Sequence, residues 1–279
     1  MYILSGFGDE ISTDLREQLE VMKSEGISYL ELRGVWNKNV LDLKEEEIKE
    51  IKDILSEYGF KISAIASPIG KIKITDDFSP HFEKFQYAVY LAKFFETKYI
   101  RIFSYYPPEG KDIKNYRDEV MKRMEEKAKY AEKEKVILVH ENEHAIYGER
   151  PENCLDILKT INSPNLRACF DPANFILDGI KPYDEAYPLL KDWIEYFHIK
   201  DGIPKSKTGG KIICVPAGEG EGQIKEVLSD FAKISKDKEV FLTLEPHLSQ
   251  AGQFTGFSGP DGFKKASKAL KNILQQIGG

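Results

Sequence analysis

Cysteine is scarce in this chain: Cys154, Cys169 and Cys214 are the only three among 279 residues, and no two form a Cys-x-x-Cys pair. So sparse and odd a set argues against a disulfide scaffold or a thiolate metal site. It fits a reducing cytoplasm in which thiols fill core. No apolar run approaches the length of a membrane span. Tyr2-Ile3-Leu4 is too short for the apolar region of a signal peptide and reads as a first strand. Excess positive charge is missing as well. A formal net charge of −6 argues against nucleic acid as the main partner, because phosphate binding rests on Lys and Arg. No Pro/Gly/Ser-rich linker interrupts the sequence, so a single domain over 1–279 is expected.

Short apolar runs alternate with amphipathic ones. Strands are predicted at Tyr2–Gly6, Ser28–Leu32, Lys61–Ala66, Tyr99–Phe103, Val136–Val139, Leu166–Asp171, Tyr196–Lys200 and Val240–Glu245. Between them lie helices at about 14–25, 45–58, 81–95, 115–135, 152–160, 183–193, 223–234 and 259–277. In the second helix Ile48, Ile51, Ile54 and Leu55 form one stripe and Gly59 caps it. Eight β-α units of about 35 residues each imply a parallel sheet with helices outside. In this length they fit a single (β/α)₈ TIM barrel. The competing open doubly wound sheet would need a glycine-rich phosphate turn. Gly6-Phe7-Gly8-Asp9-Glu10 instead puts carboxylates there.

Four strands end in polar chemistry. Alternate residues of a strand face opposite sides, so Glu141, Asp171, His198 and Glu245 are expected to face the barrel axis at its carboxyl mouth. His140 is expected to face the helices. Three carboxylates and one imidazole suit a hard-to-borderline divalent ion: Mn²⁺ first, with Co²⁺, Mg²⁺ and Zn²⁺ compatible. The alternative is an all-protein cluster of Lys200 and His198 with the carboxylates. With at most two cations, it would leave one buried charge uncompensated.

Glu-Asn-Glu-His at Glu141–His144, Phe-Asp-Pro-Ala-Asn at Phe170–Asn174, His-Ile-Lys-Asp at His198–Asp201, Gly-Glu-Gly at Gly218–Gly220 and Leu-Glu-Pro-His at Leu244–His247 recur in order. Together they resemble the sugar isomerase/epimerase branch of the xylose-isomerase-like barrels. Asp9-Glu10-Ile11, Glu31-Leu32-Arg33-Gly34 and Ser67-Pro68-Ile69-Gly70-Lys71 extend the likeness over nearly the whole chain. Within the branch the chain is most similar to members of inositol and keto-sugar-acid breakdown, of the keto-gluconate/tagaturonate epimerase type. The resemblance implies that Glu141, Asp171, His198 and Glu245 hold one divalent ion. It also implies that Glu141 and Glu245 flank a small sugar or sugar acid as base and acid. Proton return to the opposite face gives epimerisation, return to the adjacent carbon gives aldose–ketose isomerisation, and loss of a β-hydroxyl gives an inosose-type dehydratase.

Other residues are candidates for substrate contact. His144 follows a ligand strand and reads equally as a plain loop histidine. Asn174 stands where ketose 3-epimerases usually carry a histidine, which speaks against a free ketose. Inward-facing Lys200 and mouth-facing Arg33 offer cations to a carboxylate, and Lys71 adds a third from its loop. Arg101 is expected deeper, paired with Glu31. Trp36 caps the sugar or fills the rim. Gly218–Gly222 reads as a mobile cover, since Glu219 and Glu221 would repel phosphate. A three-zinc abasic-site endonuclease would need more histidines than the five present. The oligomeric state stays open between monomer and homo-oligomer.

Overall fold

The computed structural model describes residues 1–235, 238–249 and 256–278. Eight parallel strands close into a barrel: β1 (Tyr2–Phe7), β2 (Tyr29–Leu32), β3 (Lys61–Ile65), β4 (Tyr99–Ile102), β5 (Ile137–Glu141), β6 (Leu166–Phe170), β7 (Ile194–Ile199) and β8 (Val240–Leu244). Each pairs with the next, and β8 closes on β1 with Tyr2 opposite Val240 and Gly6 opposite Leu244. Outside run helices α1 (Leu15–Ser24), α2 (Glu45–Tyr58), α3 (Phe78–Phe94), α4 (Arg117–Glu134), α5 (Pro151–Ile161), α6 (Pro172–Leu177), α7 (Tyr187–Leu190), α8 (Ile224–Ile234) and α9 (Gly259–Gln276). Local signals set their ends. Asp14 accepts from the Glu17 amide to start α1, and Gly59 takes the left-handed conformation, φ +74°, that stops α2.

Two stretches depart from the sequence expectation. The predicted helix at 183–193 is a π-turn, Pro182–Ala186, followed by the single turn α7. The unforeseen helix α6 begins directly after Asp171, whose Oδ1 accepts from the Asn174 amide at 3.2 Å.

Alternation sorts the strand residues into two cores. Ala64, Tyr99, Val139, Cys169 and Tyr196 fill the barrel interior, with Ile137 and Phe241 against them. The larger apolar set, including Leu138, Phe170, Phe197 and Leu242, packs between strands and helices. Bulges between Leu30 and Glu31 on β2 and between Ala168 and Cys169 on β6 shift the register and re-aim the residues that follow. Among the described residues no helix is long and apolar enough to cross a membrane.

Candidate active site

Glu141, Asp171, His198 and Glu245 arrive from the ends of β5 to β8, all buried, and offer ligand atoms that lie within 4.8 Å of one another. Each has a buried atom without a hydrogen-bond partner: Glu141 Oε2, Asp171 Oδ2, His198 Nδ1 and Glu245 Oε2. Their other polar atoms are engaged. Asn174 Nδ2 donates to Glu141 Oε1 at 3.2 Å, the Asn174 amide binds Asp171 Oδ1, and Arg33 donates to Glu245 Oε1 at 2.7 Å. His198 Nε2 lies 3.2 Å from Glu31 Oε1, while Nδ1 lies 3.2 Å from Glu141 Oε1 and 3.4 Å from Glu245 Oε2; a proton kept at Nε2 would let Nδ1 ligate once its own proton is displaced. These four atoms make no hydrogen bond and are met only by ion-pair contacts, so a group that bound all of them together would complete their bonding. The three oxygens and one nitrogen fit a divalent ion.

The charge-count reason for favouring a metal was wrong. Besides Lys200 and His198, both Arg33 and Arg101 reach the carboxylates. Lys200 Nζ lies 2.7 Å from Asp171 Oδ2 and 3.5 Å from Glu245 Oε2, and Arg101 lies 3.3 Å from Glu141 Oε2. Nor does Arg101 pair with Glu31, which the bulge on β2 turns toward His198. The metal fit therefore rests on the convergence of the four ligand atoms, none of which makes a hydrogen bond, rather than on a surplus of negative charge.

These contacts set the protonation of the site. Burial disfavours the ionised form of Glu141, but His198 and Arg101 outweigh it and bring the carboxyl down to about 2. Glu245 is likewise held well below the usual range, against burial, by Lys200, His247 and His198. Asp171 goes the other way, because burial, with Glu245 and Glu141 close by, outweighs Lys200. Both glutamates are thus held ionised in the metal-free chain, so either could act as the base and its partner would have to gain a proton before acting as the acid.

The centre opens into a cavity of about 720 Å³, a size suited to a small ligand. Four cations line it: Arg33, Lys71, Arg101 and Lys200. Arg33 is clamped by Asp9 at 2.8 Å, Glu10 at 3.5 Å and Glu245 at 2.7 Å. Lys71 pairs with Glu143 at 2.8 Å and lies over the Phe103 ring. Its loop turns at Gly70, φ +97°, where a Cβ would come 2.0 Å from the Phe103 carbonyl oxygen. His144 lines the cavity and meets Asp178 at 2.8 Å. Buried Asn174 also lines it while orienting Glu141. Trp36 packs against the outer apolar core.

The glycine run is not a loose cover. Amides of Gly202, Gly218, Gly220 and Gly222 all donate to the Asp201 carboxylate. An internal anion thus occupies the nest that a phosphate loop would offer. A side chain at Gly220 would put Cβ 2.3 Å from Asp201 Oδ1. Over the cavity lie instead Ile212 and Cys214, from the hairpin that pairs Asp201–Ile203 with Ile213–Val215.

Sequence reasoning missed the roles of Asn142, Glu143, His247 and Glu10. Asn142 exchanges two 2.9 Å hydrogen bonds with the backbone of Asp171. His247 bridges Glu10 at 3.0 Å and Glu245 at 3.2 Å. The signal for Glu10 was present in Gly6-Phe7-Gly8-Asp9-Glu10, a carboxylate pair directly after a buried strand.

Similar proteins share this architecture. The chain is 22% identical over 260 residues to a 3-dehydroshikimate dehydratase of Bacillus anthracis, covering 88% of each chain. A xylose isomerase-like barrel of Mycobacterium smegmatis, solved in complex with magnesium, superposes with a TM-score of 0.75 at 15% identity, covering 99% of this chain and 96% of that one. The D-allulose 3-epimerase of a Methylomonas species, in complex with D-allulose, gives 0.74 at 17% identity, covering 98% and 96%. The family description "xylose isomerase-like TIM barrel" matches residues 19–273, and the chain belongs to that family.

Proposed function

We propose that this protein is a divalent-metal-dependent epimerase of a keto-sugar acid. The observation that carries the reading is the convergence of four buried ligand atoms within 4.8 Å of one another, with Glu141 and Glu245 also lining a cavity that four cations share. A divalent ion held by Glu141, Asp171, His198 and Glu245, with Mn²⁺ the first expectation, would act as a Lewis acid that stabilises an enediolate. One of Glu141 and Glu245, ionised, would take the proton α to the carbonyl on one side, and the other, entering the step protonated, would give its own proton to the opposite face, so the pair would exchange protonation states in each turnover. Lys71 and Lys200 line the cavity and would hold the acid's carboxylate by charge-assisted hydrogen bonds, while Arg101, tied to Glu141, adds positive potential. Arg33 is committed to three carboxylates, so its first role is to orient Glu245 and its second to add positive potential to the cavity. Asn174 holds Glu141 in position, and His144 reaches the substrate from the rim.

A dehydratase is the second reading, favoured by the likeness to the Bacillus anthracis enzyme, whose name specifies a cyclic keto acid. It begins with the same proton removal and ends with loss of a β-hydroxyl. The deciding experiment follows solvent deuterium into keto-hexonates, fructose and tagatose by NMR with Mn²⁺ present, and identifies each product. Epimerisation predicts a labelled epimer of an acid. An unsaturated product would replace the epimerase by the dehydratase, and faster exchange into neutral ketoses would end the acid assignment.

A further inference from the structure

We propose that Lys200 and the divalent ion compete for one seat, so that binding the ion frees Lys200 to anchor the substrate's carboxylate. The inference rests on the metal and acid assignments above and adds an order of binding. The Lys200 ammonium lies 2.7 Å from Asp171 Oδ2 and 3.5 Å from Glu245 Oε2, two of the four atoms that converge on the centre. Despite its closeness, the contact with Asp171 Oδ2 is not aligned as a hydrogen bond. A divalent cation on those same oxygens would repel the ammonium at short range.

Only the side chain can respond. The next residue, Asp201, is fixed by amides of Gly202, Gly218, Gly220 and Gly222, so the strand end cannot slide. Lysine has a flexible four-carbon stem and a point charge, which suits a swing better than a planar guanidinium would. Buried Lys200 already lines the cavity, so that is where its ammonium goes. Of the neighbouring cations, Lys71 is paired with Glu143 at 2.8 Å, away from the four converging atoms, and the two arginines are less free. Arg33 holds three carboxylates, and Arg101 is tied to Glu141 and the Ala66 carbonyl. Ion and acid should therefore bind in that order and strengthen one another.

Titration calorimetry with Mn²⁺ and with 5-keto-gluconate, on wild type, Lys200→Met and Lys200→Arg, tests this. Lys200→Met should bind Mn²⁺ more tightly by a factor within the roughly 5–150-fold range of site-to-site couplings. Once loaded with Mn²⁺, it should bind 5-keto-gluconate more weakly by a similar factor, with the affinity for tagatose unchanged. In the Mn²⁺-loaded wild type a crystal structure should show Nζ beyond about 4 Å from Asp171 Oδ2, outside ion-pair range. Wild type that binds no Mn²⁺ would bring down the proposed function itself. Wild type that binds Mn²⁺ while Lys200→Met binds it equally or less tightly would overturn the competition alone. Retained acid affinity in the loaded variant would overturn the anchoring role. Should Lys200→Met lose its fold by circular dichroism, Lys200→Arg carries the test: its less mobile charge should leave 5-keto-gluconate affinity less dependent on Mn²⁺, and an unchanged dependence would overturn the swing.

Discussion

His140 and Glu141 are adjacent on β5 and face opposite sides of it. Both are buried, and both lie among other ionisable groups. Inward, Glu141 meets His198 and Arg101 and stays ionised. Outward, His140 has no partner at Nε2, and burial, with Lys127 nearby, pushes its imidazole down to about 3. Lys127 is fully buried on α4, its ammonium nitrogen without a hydrogen-bond partner and 4.7 Å from the centre of the Tyr105 ring. Burial, and then Arg123, bring it down to about 7. Depth is the same on the two sides. What differs is whether opposite charges converge, and that decides whether burial neutralises a group or keeps it charged.

The largest effect should come from the inner side. Glu141→Gln should lower kcat by about 10²–10⁴-fold, even at Mn²⁺ concentrations that restore occupancy. Recovery of a near-normal rate at high metal would make Glu141 a ligand only.

On the outer side the readout is stability. The folded-state value of Lys127 lies below the ordinary 10.5, so unfolding takes up a proton between pH 7 and 10.5. Stability from this group therefore rises with pH across that window and is lowest below it, where a charged lysine must be buried. Lys127→Met should be more stable than wild type by a few kcal/mol near pH 6. That gain should shrink by about 1.4 kcal/mol per pH unit above pH 7. Denaturant melts of both proteins from pH 6 to 10 measure it; parallel profiles would refute the neutral lysine.

Packing around His140 gives a smaller effect. A Cβ on Gly148 would come 2.3 Å from His140 Cε1 and 2.9 Å from Ser104 Oγ. Gly148→Ala should cost about 1–3 kcal/mol and leave the Mn²⁺ affinity measured by calorimetry unaltered. A matching loss of affinity would mean that strain crosses the strand. The smallest effect should be at His144, a half-exposed side chain that meets Asp178 at 2.8 Å. His144→Ala should shift stability by less than about 1 kcal/mol and raise KM more than it lowers kcat.

The eight strands were legible because each buries two faces, and their inward parity was legible where alternation runs unbroken, as on β5 and β8. Convergence of Glu141, Asp171, His198 and Glu245 followed from that parity alone. The Arg33 and Arg101 pairings were not legible. How far along the barrel axis an inward residue sits depends on stagger and on the bulge between Leu30 and Glu31, which no side-chain pattern announces. Contacts between β1 and β8 were equally hidden, since Glu10 and His247 meet only when the barrel closes. The glycine run misled because a nest of amides looks the same in sequence whether its anion comes from outside or, like Asp201, from the chain itself.

Each carboxylate at the centre divides its two oxygens between separate tasks. Oε1 of Glu141, Oδ1 of Asp171 and Oε1 of Glu245 are taken by Asn174, an α6 amide and Arg33. If an ion were held, each carboxylate would have one oxygen not already hydrogen-bonded to offer it, and with His198 the protein would supply four donor atoms. A six-coordinate ion of the Mg²⁺ kind would then keep two positions for outside ligands, as many as a hydroxyl beside a carbonyl can fill. Chelating power would thus enter selectivity: sugars able to offer adjacent oxygens are favoured over those that offer one.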